Sequence, residues 1–287
     1  MYPSFGPISW ITPYGLMLLV ALFACWFYAR RRAGAFGVDV SHVNLAVPLV
    51  FAVSLLGAEI ITFISPRDAE FAGQIMHGQS RFRLFGLLLI GVPALFVYSR
   101  LTGIAFRRLA DLFALPALLW LAIVRLGCFM EGCCWGDLVS EPDAFAGIAD
   151  PGLARQVLTL PWLPFDLLPL AISFPAGSFA WQQHMALGLI QPGVPVSLPV
   201  HPVQLYEMVL LLLLITTLRG WESRRIPAGM TAVATLGGYC VLRFVIEFLR
   251  ADNPLLAANL TLNQWICIVL VVAGVLATPF IKRMATG

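Results

Sequence analysis

Residues 262–281 read LNQWICIVLVVAGVLATPFI, a predominantly apolar run without a charged side chain. A helix needs roughly 20 such residues to cross the hydrocarbon core of a bilayer. The composition of the whole chain is also apolar: 60% of its 287 residues are hydrophobic, 11% are charged, and the mean hydropathy is +0.86. Soluble domains carry about 25% charged residues. The sequence therefore predicts an all-α integral membrane protein.

Apolar segments of this kind recur along the chain and predict seven membrane spans. They cover residues 12–29, 43–65, 84–99, 109–129, 203–218, 228–249 and 262–281. In a seven-span layout, most basic residues fall on one side: Arg30, Arg31, Arg32, Arg100, Arg107, Arg108, Arg219, Arg224, Arg225, Lys282 and Arg283. The positive-inside rule makes that side cytoplasmic. The N-terminus is accordingly expected outside and the C-terminus inside.

The long connection between the fourth and fifth spans, residues 130–200, is rich in proline, glycine and aromatic residues. It is too apolar for a disordered linker and too often interrupted for a span. We expect an external cap with short helices at the membrane surface, one of them at 176–190. Residues 1–287 are expected to form a single transmembrane domain that includes this cap.

Polar and ionisable side chains inside the spans are candidate functional residues, because such groups are costly at membrane depth. They are Tyr14, Glu59 and Arg125, then His201, Gln204, Tyr206 and Glu207 at the start of the fifth span, and Tyr239, Arg243 and Glu247 at i, i+4 and i+8 in the sixth.

Each of these residues has a structural and a functional interpretation. Glutamates can hold Arg125 and Arg243 as buried ion pairs, or the two guanidinium groups can bind a lipid phosphate, which suits their planar fork. His201 can cap a helix or act as an acid or base. Tyr14 alone would be typical of the interfacial aromatic belt.

The motifs that carry these residues resemble the prolipoprotein diacylglyceryl transferase family. The segment His201-Pro202-Val203-Gln204-Leu205-Tyr206-Glu207 is similar to its His-Pro-x-Gln-Leu-Tyr-Glu motif. Further similarities lie in Tyr14-Gly15, in Arg125-Leu126-Gly127-Cys128-Phe129 with Trp135-Gly136, in the stripe Tyr239, Arg243, Phe244, Glu247, Phe248 and Arg250, and in Leu262 with Gln264. The resemblance also implies seven spans with the N-terminus outside.

Several positions depart from the family pattern. Phe85 lies near the place of the family's third-span histidine, which is proposed as its base. Cys128 replaces the signature asparagine, and Cys133-Cys134 replaces an acidic residue. Glu59 stands where the family has an arginine. The phosphate-facing arginines are therefore kept, while the proton-handling group is not.

The resemblance implies transfer of a diacylglyceryl group from phosphatidylglycerol to the lipobox cysteine of a prelipoprotein signal peptide. Arg125 and Arg243 would bind the phosphate, with Tyr14, Gln204 and Tyr206 completing the lipid site. His201, Glu207, Arg243 and Tyr239 are the candidate catalytic residues, and His77 is a further candidate base. The supporting residues would be Glu247, Arg250 and Gly127.

The same resemblance implies a multi-pass protein of the bacterial inner membrane whose partners are phosphatidylglycerol, membrane lipid and the precursor peptide. No cofactor or metal is expected. The net charge is only +3, and no basic cluster exceeds three residues, so nucleic acid is not an expected partner.

This function has two alternatives, of which one rests on the six cysteines. Cys128, Cys133 and Cys134 cluster at the outer end of the fourth span, where a disulfide or a packing role is expected first and metal binding is the rival. A membrane thiol oxidoreductase that uses these three cysteines is one alternative. A non-catalytic phospholipid-binding paralogue that keeps the arginines without the base is the other.

Overall fold

The computed structural model describes residues 12–64, 83–138, 170–222, 226–250 and 257–286. Within these ranges it contains eight α-helices and no named strand. Seven helices are long: α1 (Pro13–Ala33), α2 (Val40–Ile64), α3 (Arg83–Thr102), α4 (Phe106–Glu131), α6 (Val203–Glu222), α7 (Met230–Glu247) and α8 (Leu262–Thr286). The short helix α5 spans Phe179–Ala186. Each of the seven predicted spans thus coincides with a long helix.

Six of the described helices are long and apolar enough to cross a membrane. These are Pro13–Phe36, Val40–Gly57, Phe106–Glu131, Val203–Glu222, Met230–Glu247 and Leu262–Ile281. The described apolar part of α3, Ile90–Thr102, is shorter. The chain is therefore a helical multi-pass membrane protein, whose orientation stays a prediction.

The surface of the helices is apolar, as a lipid-facing surface must be. Large hydrophobic side chains are strongly exposed on several helices: Leu19, Phe23, Leu56, Leu101, Val275, Leu276 and Phe280. Charged side chains such as Arg125, Glu207 and Arg243 are instead buried. In a bilayer the apolar surface contacts acyl chains, and the charges are shielded by neighbouring helices.

Contacts divide the chain into two compact units. The first contains residues 1–21, 120–214 and 236–275, and the second contains residues 22–119, 215–235 and 276–287. In the second unit, α2 and α3 pack against each other. A Cβ on Gly91 would lie 2.8 Å from Oγ of Ser54, so this glycine permits close approach of the two helices.

The described part of the cap belongs to the first unit and has its own apolar core. Phe174, Leu189 and Val200 lie in this core with the aromatic ring of Trp135. Isolated antiparallel bridges join Leu138 to Val200 and Gly136 to Arg250. Helix α5 begins after Ser178, whose hydroxyl accepts a hydrogen bond from the Trp181 backbone, and it lies inside the predicted interval 176–190.

Candidate functional site

Four buried charged side chains from three helices of the first unit form one ion network. Arg125 Nη2 of α4 lies 2.9 Å from Oε1 of Glu207 in α6. The other oxygen of the same carboxylate, Oε2, lies 3.3 Å from Nη1 of Arg243 in α7. Arg243 Nη2 in turn lies 2.8 Å from Oε2 of Glu247, one helical turn away. Glu207 is therefore shared between two guanidinium groups.

Arg125 and Arg243 are thus held by glutamates as buried ion pairs, which is the structural interpretation given for them from the sequence. Arg125 and Arg243 are 7% and 6% exposed, and Glu207 and Glu247 are 2% exposed. Four charges at this depth are tolerable because each lies beside an opposite charge. The spacing of Arg243 and Glu247 in the sequence indicated their pairing, whereas the partner of Arg125 comes from a distant segment.

The start of α8 extends the network with residues that sequence reasoning missed. Thr261 Oγ1 and Asn263 Nδ2 donate to Oε1 of Glu247 at 2.8 and 2.6 Å. Gln264 Oε1 accepts a hydrogen bond from the Thr261 backbone at 2.8 Å. The polar sequence Thr261-Leu262-Asn263-Gln264 at the start of the last span could have indicated these contacts. Of its polar residues, only Gln264 was named from the sequence. These contacts fix the Glu247 carboxylate.

The His-Pro motif joins the cap to the start of α6. His201 is fully buried, and its Nδ1 lies 3.4 Å from the Tyr206 hydroxyl, which donates to the Leu170 carbonyl at 3.2 Å. Since that hydroxyl has one proton, the His201 Nδ1–H is the donor in the pair, and Nε2 is the ring nitrogen that can accept a proton. Burial lowers the pKa of His201, which favours the neutral imidazole that a base requires.

Gly136 is required by the close approach of the His201 segment. Its N–H donates to the His201 carbonyl at 2.9 Å, and a Cβ at this position would lie 2.8 Å from Cβ of His201 and collide with Val203. The next residue, Asp137, is a buried acid that sequence reasoning missed. Burial raises the pKa of Asp137 to about 6. Its carbonyl accepts from the His201 N–H at 3.0 Å, so the two residues are adjacent.

Two of the predicted tyrosines, Tyr14 and Tyr239, lie near Arg125. A Cβ on Gly127 would lie 3.3 Å from the Tyr14 ring, which indicates that α1 and α4 pack closely here. Tyr14 and Tyr239 both interact electrostatically with Arg125. Tyr239 is 8% exposed and interacts in the same way with Glu207 and Arg243. The structure thus brings Tyr14 and Tyr239 together with the ion network, while Gly127 has a packing role.

Gln204 and Arg250 are placed near the same network from the cap side of the helices. Gln204 is 1% exposed, and its Nε2 donates to the Cys133 carbonyl at 2.6 Å. Arg250 follows α7, where its N–H donates to the Glu247 carbonyl at 3.2 Å, and it acts electrostatically on Glu207.

Three residues singled out from the sequence are not described at side-chain level. His77 lies outside the described residues. Glu59 and Phe85 are on α2 and α3, in turns for which only the backbone is described.

All six cysteines are free thiols, so the expected disulfide is not formed in the structure. Cys128 and Cys133 pack with Ala21 and Val124 in an apolar cluster, which agrees with a packing role. The sulfur atoms of Cys128, Cys133 and Cys134 nevertheless lie within 4.8 Å of one another. Proximity without a bond leaves three thiols available for other chemistry.

Comparison with known proteins matches the family model described as prolipoprotein diacylglyceryl transferase to residues 4–279. A protein named phosphatidylglycerol–prolipoprotein diacylglyceryl transferase from Methylococcus capsulatus is 28% identical, with 98% of this chain and 95% of the relative covered. Relatives of the same name from Neisseria gonorrhoeae and Azotobacter vinelandii are 31% and 26% identical. They cover 95% and 94% of this chain, and 92% and 89% of their own length is matched. This chain therefore belongs to the prolipoprotein diacylglyceryl transferase family of transferases.

Proposed function

We propose that this protein transfers the diacylglyceryl group of phosphatidylglycerol to the thiol of a lipobox cysteine in a prelipoprotein. The observation that carries the proposal is the convergence of Arg125 and Arg243 on one shared carboxylate, Glu207, inside an apolar helical protein. The relatives named above are called by this activity. The arginine distribution supports an orientation with the N-terminus outside. Because prelipoproteins are secreted precursors, we also propose that the protein lies in the inner membrane.

The reaction forms one bond and breaks one bond. The thiolate sulfur attacks the glycerol carbon that carries the phosphate, the carbon–oxygen bond breaks, and its electron pair leaves with the phosphate oxygen of glycerol phosphate. A thiolate is required because the neutral thiol is a weak nucleophile. The protein must therefore accept one proton and stabilise the negative charge of the leaving group.

Arg125 and Arg243 are the residues that we assign to bind that leaving group. Among the described residues, Arg125 has one ion-pair partner, Glu207, and donates no hydrogen bond to a backbone carbonyl. Its remaining N–H groups suit the oxygens of a phosphodiester. Glu207 and Glu247 then hold the two guanidinium groups at a fixed spacing, and Thr261 and Asn263 fix Glu247 in turn.

We favour His201 over Glu207 as the base, and His77 lies outside the described residues. Glu207 is already committed to two cations at 2.9 and 3.3 Å, which makes it a poor proton acceptor. The neutral His201 offers Nε2 to a thiol, while Tyr206 orients the ring through Nδ1. Tyr14, Tyr239 and Gln204 supply further polar groups for the lipid head group and the peptide backbone.

The direct test supplies the purified protein with phosphatidylglycerol and a lipobox peptide. We expect release of glycerol phosphate together with a peptide that gains the mass of one diacylglyceryl group on its cysteine. Phosphatidylethanolamine in place of phosphatidylglycerol distinguishes the donor, and a peptide with serine for the lipobox cysteine is the acceptor control. Binding of phosphatidylglycerol without either product would favour the non-catalytic paralogue and contradict the proposal.

A cellular test uses a strain depleted of its own diacylglyceryl transferase. Wild-type protein should restore growth and lipoprotein modification. Replacement of Cys128, Cys133 and Cys134 by serine should leave this rescue largely intact. Loss of rescue in that variant, with normal amounts of protein in the membrane, would favour a thiol oxidoreductase.

A further inference from the structure

Three thiols converge where helix α4 ends. Cys128 lies in the last turn of α4, and Cys133 and Cys134 lie in the turn that follows, where the Cys133 N–H donates to the Cys128 carbonyl at 3.1 Å. Cys134 adopts a left-handed backbone conformation with φ of 62°. This turn brings the three sulfur atoms within 4.8 Å of one another. A sequence spacing that fits no standard zinc pattern thus produces a convergent set of ligands.

We propose that Cys128, Cys133 and Cys134 bind one thiophilic cation, and that Cu(I) is the ion they suit best. Thiolate sulfur is a soft ligand that selects Cu(I) and zinc over magnesium and calcium. Structural zinc sites have four protein ligands, whereas this cluster provides three. Within the described part of the chain, these are the only three metal-ligating side chains brought so close together. The proposal of this metal site does not rest on the transfer reaction proposed above, although Arg125 and Gln204 adjoin both sites.

The surroundings of the cluster suit an anionic metal site. On binding, Cu(I) leaves the chelator or other ligand that delivers it, and each thiol that becomes a ligand releases its proton to the solvent and forms a sulfur–copper bond. No electron is transferred because the ion enters as Cu(I). The thiolates left on a monovalent ion carry net negative charge. Arg125 and Arg250 both act electrostatically on Cys134, so two guanidinium groups are present to offset that charge.

The cysteine cluster is fixed in position and is accessible to an entering ion. Gln204 Nε2 donates to the Cys133 carbonyl at 2.6 Å, which joins the thiol turn to the start of α6. Cys128 and Cys133 are 5% and 4% exposed, while Cys134 is half-buried. Cys134 is therefore the first ligand that an entering ion meets, and the other two are fixed behind it.

The test is a titration of the reduced full-length protein in detergent, without oxygen, against a chromophoric Cu(I) chelator. We expect one Cu(I) per chain to be withdrawn from the chelator. The double variant Cys133→Ser with Cys134→Ser should lose this binding. The matched control is Cys240→Ser with Cys267→Ser, which removes the other pair of thiols in mutual contact and should bind Cu(I) like the wild type.

Size-exclusion chromatography and circular dichroism establish that each variant is folded. The single variant Cys134→Ser should bind Cu(I) at least tenfold more weakly than the wild type. X-ray absorption of the loaded wild type should show three sulfur neighbours around the copper. Equal binding by wild type and the Cys133→Ser, Cys134→Ser variant would overturn the proposal. So would quantitative oxidation of two of the three thiols to a disulfide in protein isolated without reductant, since that result identifies a redox pair.

Discussion

Arg32 and Arg125 are both buried arginines paired with a glutamate, yet their remaining hydrogen bonds differ. Arg32 of α1 donates from Nη1 and Nη2 to both oxygens of Glu222 at 2.8 Å. It also donates from Nη2 to the Asp111 carbonyl at 2.9 Å and from Nε to the Leu112 carbonyl at 3.3 Å. Backbone carbonyls and a bidentate carboxylate therefore occupy this guanidinium, which links helices of the second unit.

The network around Arg125 is built from side chains that share their partners. Arg125 and Arg243 both pair with Glu207, and Arg243 also pairs with Glu247. A shared carboxylate leaves donors available to an incoming anion, whereas the saturated fork of Arg32 leaves few. Burial alone thus does not distinguish Arg32 from the proposed binding residue Arg125, whereas the hydrogen-bond partners of the two arginines differ.

The largest expected effect follows from removing a binding arginine. Arg243→Ala or Arg125→Ala should lower the rate of glycerol phosphate release by about 100-fold or more, because a preorganised donor to developing charge is lost. The assay uses phosphatidylglycerol and a lipobox peptide, with Arg31→Ala, an exposed arginine of α1, as the matched control. Activity within a few-fold of wild type in both variants would refute the phosphate assignment.

Arg32→Ala should lower the stability of the protein and leave its transfer rate unchanged. Leaving Glu222 without its partner should lower the free energy of unfolding by about 3–4 kcal/mol, toward the lower end for a broken buried pair because the Glu222 side chain is 19% exposed. The rate per folded molecule should stay near that of wild type. Denaturant unfolding in detergent measures the first quantity and the transfer assay the second. A strong loss of rate in the folded fraction would remove the distinction between the two arginines.

His184 extends the comparison to a buried group that avoids charge by staying neutral. Burial lowers the pKa of His184 to about 4, and its Nδ1 accepts a hydrogen bond from the Leu198 N–H at 3.2 Å. The unfolded state binds its proton near pH 6.5, so the stabilisation is present above that pH and is lost as pH falls toward 4. The loss amounts to about 3 kcal/mol.

Tryptophan fluorescence during unfolding at a series of pH values measures this loss. Trp181 is a suitable reporter, since it packs against the cap core and donates from Nε1 to the Val194 carbonyl at 2.7 Å. His184→Gln should flatten the dependence between pH 6.5 and 4. An unchanged slope in that variant would assign the effect to another group.

The smallest effect is expected at Asp111, which caps the start of α7, within the second unit. Its Oδ1 and Oδ2 accept hydrogen bonds from the N–H groups of Ala232 and Gly229 at 2.8 and 2.5 Å, at the start of α7. Asp111→Asn should cost about 1 kcal/mol, since one acceptor and the favourable charge at a helix N-terminus are lost. Thermal unfolding measures this change, and the transfer rate should be unaffected. A cost above that of Arg32→Ala would reverse the ranking of the two contacts.

The helices were predictable from the sequence because the length of an apolar segment is a local property, and this length determines whether a helix can cross a bilayer. The sequence also predicted the residues of the ion network, because charges inside spans are few. The sequence indicated the pairing of Arg243 with Glu247 but not the partner of Arg125, since Arg125 and Glu207 lie on helices separated by the whole cap. Asp137 and Asn263 were missed for a related reason. Both follow or begin an element, where a polar residue is ordinary until its burial and contacts are known.

The shared carboxylate of Glu207 also has a consequence for how the chain is made. Synthesis runs from the N-terminus, so α4 carries Arg125 into the membrane before α6 has supplied Glu207, and Arg243 arrives later still. An arginine at the centre of an isolated span costs about 2.5–3.5 kcal/mol on insertion scales, and an arginine near the helix end, such as Arg125, costs less because its side chain can reach the interface. Until α6 is inserted, that cost has to be met by lipid head groups, water or the insertion machinery. We therefore expect formation of the Arg125–Glu207 pair to stabilise the fourth helix in the membrane.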